Sequence, residues 1–64
     1  MDNIKLIRSV LIDEEQYLVG WDDKTGKVYI VKGAVITKWN DTQKVAATEE
    51  DAKSHAVDYL QGKL

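Results

Sequence analysis

Asp23-Lys24-Thr25-Gly26 separates two blocks rich in alternating, β-branched and aromatic residues, Gln16–Trp21 and Lys27–Val31. A type I turn with glycine in the left-handed position closes a hairpin, so the blocks are expected to pair as antiparallel strands. The same rhythm runs outward in both directions. Residues 4–12, Ile-Lys-Leu-Ile-Arg-Ser-Val-Leu-Ile, read as a preceding strand that reaches the hairpin through the polar turn Asp13-Glu14-Glu15. Lys32-Gly33 reads as another tight turn, and residues 34–39 as a fourth strand. Asn40-Asp41-Thr42-Gln43 turns again, leaving Lys44-Val45-Ala46 as a stub that would make a fifth strand.

At Thr48 the period changes. Thr48-Glu49-Glu50-Asp51 is close to a capping box, and three acids in the first turn suit the positive end of a helix dipole. Ala52, Ala56, Tyr59 and Leu60 recur at helical spacing as one apolar stripe, and Gly62 is placed to end the helix. The expected fold is therefore one α+β domain over residues 1–64. It has a four-stranded antiparallel meander, five with the stub, and a C-terminal helix on one face. Strands are expected at about 4–12, 16–21, 27–31 and 34–39, and the helix at about 49–61.

Two local resemblances bear on the architecture. Gln16-Tyr17-Leu18-Val19-Gly20-Trp21 resembles a core strand of chromo-type domains, which also end in a helix. Thr48-Glu49-Glu50-Asp51-Ala52 through Asp58-Tyr59-Leu60 resembles the C-terminal helix of the small archaeal chromatin proteins. Both resemblances imply an alternative fold, a small SH3-like barrel capped by the helix, and the second implies DNA binding.

Hairpin register assigns side chains to faces. Pairing Ile12 with Tyr17, Trp21 with Val28 and Val31 with Ala34 puts Ile4, Leu6, Val10, Ile12, Tyr17, Val19, Trp21, Val28, Ile30, Val35 and Trp39 under the helix. It also sets Arg8 opposite Trp21. The other face receives Ile7, Ser9, Leu11, Leu18, Gly20, Lys27, Tyr29, Val31, Ala34, Ile36 and Lys38. An exposed face of an antiparallel sheet is ordinarily polar, and one short helix cannot cover both faces. Something else should cover the second: closure of the sheet, a second subunit or a ligand.

Chain length sharpens that expectation. A chain of sixty-four residues buries only about 60% of the surface its unfolded form exposes, and domains of this size are commonly reinforced by disulfides, a metal or a partner. With no cysteine and one histidine, the chain has neither a disulfide nor a thiolate or imidazole cluster to offer, and no cofactor is expected. No apolar run approaches the ~20 residues that span a bilayer, and the N-terminal Met1-Asp2-Asn3 does not read as a leader, so the cytoplasm is the default setting and no membrane partner is expected.

Chemical motifs are absent. Asp13-Glu14-Glu15 and Asp22-Asp23 are paired carboxylates in turns, where acids are commonly solvated. His55 could pair with Asp51 or Asp58 along the helix, which supports a helix more than a reaction. Gly26 and Gly33 are turn glycines without the spacing of a phosphate loop. The chain is not expected to be an enzyme.

Function is then expected from the second face. Leu11, Leu18, Gly20, Lys27, Tyr29, Val31, Ile36 and Lys38 form an apolar centre with a lysine rim, the anatomy of a protein–protein interface. Gly20 and Ser9 beside Tyr29 would leave a shallow depression for a partner side chain. The partner is another protein or a second copy. The alternative is single-stranded nucleic acid, suggested by charge: residues 24–44 carry five lysines against one acid, between acidic flanks. Tyr29 with Lys24, Lys27, Lys32 and Lys38 would supply stacking and backbone attraction. The net charge of −2 and pI near 5.2 weigh against it.

Overall fold

The computed structural model describes residues 4–62, so Met1-Asp2-Asn3, read above for a leader, lies outside the described residues. The chain folds as β1 (Ile4–Ile12), β2 (Glu15–Asp22), β3 (Lys27–Lys32), β4 (Asn40–Val45) and α1 (Glu49–Leu60). The strands form one open antiparallel sheet in chain order, and α1 crosses all four. This is the expected α+β meander with a helix on one face. The sheet does not close, so the barrel alternative is set aside.

Each hairpin has a local cause. Asp13 and Glu14 both take positive φ, 53° and 65°, the signature of a two-residue type I′ turn, and Ile12 pairs with Glu15. The expected pairing of Ile12 with Tyr17 is thus replaced by one that spends no residue beyond the turn itself. In the second hairpin the buried Asp22 carboxylate accepts from the Lys24 and Thr25 backbone N–H groups at 2.9 and 3.3 Å. The Gly26 N–H donates to the Asp22 carbonyl at 2.6 Å, with Gly26 at φ 83°. Trp21 pairs with Val28 as expected.

The helix begins as the sequence indicates. Thr48 Oγ1 accepts from the Asp51 N–H at 3.1 Å, and Gly62 at φ 72° donates its N–H to the Tyr59 carbonyl at 3.1 Å. Ala52 and Ala56 are fully buried against Val19, Val28, Ile30 and Ala46, with Ile7, Val10, Trp21, Tyr59 and Leu60 packed around them. Two alanines let the helix axis approach the sheet closely. The Trp21 indole Nε1 donates to the Ala46 carbonyl at 3.2 Å, tying the core's largest side chain to the segment that leads into the helix.

Two parts of the expected register are corrected. Ile7 is an extra residue, a β-bulge between the pairs Leu6–Gly20 and Arg8–Val19. The bulge inverts the sidedness of everything before it. Ile4 and Leu6 move to the side away from the helix, Ile7 packs against the core, and Lys5, not Arg8, lies opposite Trp21.

The other correction is the fourth strand. Residues 34–39 do not form one, because Gly33 does not turn the chain back on β3: its N–H donates to the Gln16 carbonyl at 2.7 Å and prolongs the β2–β3 ladder. The strand forms instead at Asn40–Val45, across the expected turn and stub. Turn chemistry persists inside it as a bulge. Gln43 has φ 63°, its N–H donates to Asp41 Oδ1 at 2.7 Å, and buried Thr42 donates its hydroxyl to the Val28 carbonyl at 2.9 Å.

Candidate functional site: the sheet face away from the helix

Side chains on the second face follow from the ladder pairs. One row across the sheet is Leu6–Gly20–Tyr29–Asp41, the next is Ser9–Leu18–Val31, and a third begins Leu11–Gln16. The segment 33–39 returns to this face. A Cβ placed on Gly20 would lie 2.6 Å from Ile4 Cγ2 and 2.8 Å from Cη2 and Cζ3 of Trp39. The indole expected in the core under the helix therefore lies over the glycine on the opposite side. The depression expected for a partner's side chain is filled by the chain's own Trp39 and Ile4.

That closure divides the eight expected site residues. Leu18 and Val31 are 5% and 1% exposed and Gly20 is buried, so these three belong to the packed centre of the face. Tyr29, paired with Gly20, is half-buried. Leu11, Ile36, Lys27 and Lys38 are exposed. Leu11 is 72% exposed and Ile36 48%, and Leu6, assigned to the core before the bulge was apparent, is 52% exposed beside Gly20. Val35, also assigned to the core, lies exposed in the segment 33–39.

The central lysines are partly engaged. Lys27 lies 3.7 Å from Asp41 and Lys32 lies 3.1 Å from Glu15. The Glu15 hydrogen bond holds the Lys32 ammonium above its ordinary pKa. At the other end of the sheet Lys5 lies 2.8 Å from Asp23.

Among the described residues no group of three or more His, Cys, Asp or Glu side chains is placed to hold a metal ion, and no pocket opens. No helix there is long and apolar enough to cross a membrane. The class defined by fold and face is a small α+β domain with an open sheet, one face covered by a helix and the centre of the other by Trp39. Comparison with protein-family models, curated proteins and solved structures finds no match to this chain.

Proposed function

We propose that the domain is a non-enzymatic protein-interaction module that associates through the face away from the helix, most simply with a second copy, in the cytoplasm. The observation that supports it is the exposure of Leu6 and Leu11 on the same side of the edge strand β1, in a chain whose own loop already covers the centre of that face. Large apolar side chains left exposed on one side of an outer strand favour burial against a partner. Lys38 and the other exposed lysines supply a polar rim. Nucleic-acid binding is the weaker reading because Lys27 and Lys32 are already paired with acids and Tyr29 is half-buried.

The test is light scattering of the wild type with Leu11→Lys and Ile36→Lys. A charge forced into an apolar interface weakens association, while on a wet surface it costs little. The reading predicts a wild-type assembly that dissociates in Leu11→Lys with the far-UV circular dichroism unchanged. Identical masses for all three proteins would count against it.

A further inference from the structure

The sheet has two free edges, β1 and β4, and they differ. β4 is six residues long, and its ladder with β3 is interrupted by the bulge at Gln43. β1 is the longest strand, nine residues, and all of it but one bulged residue is in register with β2. A long unpaired edge is a template for strand addition.

The direction of its free hydrogen-bonding groups can be read from the ladder. The Gln16 carbonyl accepts from Gly33, so the polar backbone of Gln16 points toward β3 and away from its β1 partner, Leu11. Antiparallel pairs alternate between bonded and non-bonded. Leu11–Gln16 and Ser9–Leu18 are therefore the non-bonded pairs of the β1–β2 ladder. It follows that Ser9 and Leu11 direct their N–H and C=O groups outward along the free edge.

We propose that two copies of this chain pair antiparallel through β1, about a two-fold axis at Ser9, joining their sheets into one of eight strands. This rests on the interaction-module reading above and places its contact at the β1 edge of that face, where Leu6 and Leu11 stand, rather than over its centre. Two features of β1 make it self-complementary. With Ser9 facing its symmetry mate, the bulged pair Ile7–Arg8 faces the partner's Val10, and the registers beyond the bulge bring Leu6 opposite the partner's Leu11. The two exposed leucines then meet on one face as two symmetric cross-strand pairs, the contact that stabilises neighbouring strands. A single extra residue at position 7 is what makes this match; without it, Leu6 and Leu11 would point to opposite faces of the strand.

Charge follows the same symmetry. Lys5 lies near the start of β1, and Asp13, Glu14 and Glu15 follow its end. Antiparallel pairing sets the partner's Lys5, already paired with its own Asp23, beside Ile12 and so next to the acidic turn, twice per dimer. A two-fold interface uses one patch against itself, and this strand carries both halves of the match.

The absence of cysteine gives a clean experiment. Ser9→Cys would place two thiols across the axis, within disulfide range for a paired antiparallel position. Mild oxidation should convert most of Ser9→Cys to a covalent dimer and leave Thr25→Cys, at the exposed hairpin turn, largely uncrosslinked. Ser9→Pro removes one outward N–H per copy without touching a β2 bond, and edge strands tolerate such a proline. It should raise the dimer dissociation constant at least about tenfold. If Ser9→Pro unfolds, the cysteine pair decides alone. Equal crosslinking of the two cysteine variants would overturn edge pairing. So would a Ser9→Pro dimer of wild-type affinity; if Leu11→Lys still dissociated that dimer, the face would remain the interface with a different geometry. A wild type that stays monomeric would remove both.

Discussion

The far edge of the Trp39 indole occupies the space into which any side chain at Gly20 would project. A Cβ there would meet Cη2 and Cζ3 at 2.8 Å and Ile4 Cγ2 at 2.6 Å. Glycine is required at this position for close approach across the sheet, not for its backbone freedom, since Gly20 is not among the positive-φ residues. Gly20→Ala should destabilise by about 1–3 kcal/mol through overpacking, and Trp39→Ala by about 3 kcal/mol through loss of buried surface. Because the alanine methyl would take up part of the space the ring leaves, the double variant should lose less than the two singles together. Urea titration of the four proteins measures this. Strict additivity would mean the ring does not lie on Gly20 in solution.

The first turn carries a removable cost. Glu14 sits at φ 65°, where a side chain is disfavoured and glycine is not. Glu14→Gly turns Asp13-Glu14 into the preferred Asp-Gly of a type I′ hairpin and should stabilise by about 0.5–1 kcal/mol. A lower urea midpoint for this variant would contradict the turn geometry.

Much of the fold was legible because its signals are local. The Asp22–Gly26 turn depends on one carboxylate and one glycine, and the helix start on Thr48, so both fall where the sequence places them. Face assignment failed where a non-local fact decided it. A bulge at Ile7 leaves no mark in an alternating apolar run, yet it sends Ile4 and Leu6 to the far side. Likewise Gly33 looks like a turn residue, and only the bond to Gln16 shows that the chain runs on past it. That frees 33–39 to carry Trp39 over Gly20. The clue within the sequence was Gly20 itself, a glycine in the middle of a strand, which marks a close approach. Leu11 and Ile36 were legible as exposed apolar residues, and Leu18 and Val31 were not separable from them without the loop.

The helix cap gives a compact check on the C-terminal half. Thr48→Ala removes the acceptor for the Asp51 N–H and should cost about 1 kcal/mol, with Thr48→Ser retaining most of it. Unchanged stability in Thr48→Ala, read by urea titration, would move the helix start elsewhere.

Acid and base both weaken the Lys5–Asp23 pair, through shifts of opposite sign. The hydrogen bond from Lys5 holds the Asp23 carboxyl below its ordinary value and, in return, holds Lys5 above its own. The carboxylate's share of stability is complete above the ordinary carboxylate range and is lost as pH falls through the lowered value. The ammonium's share is present at neutral pH and is lost as pH rises through the raised value. Both groups are exposed, so the effect is small. Lys5→Met should make the fall of the urea midpoint toward low pH shallower than in wild type. Superimposable acid limbs would show that the pair does not form.

Self-association through the face away from the helix is tested most directly by sedimentation equilibrium of the unmodified chain over a wide concentration range. The monomer mass is 7.3 kDa, and the weight-average mass should climb from it toward twice that value along a single monomer–dimer isotherm. A mass of 7.3 kDa at every concentration would contradict it.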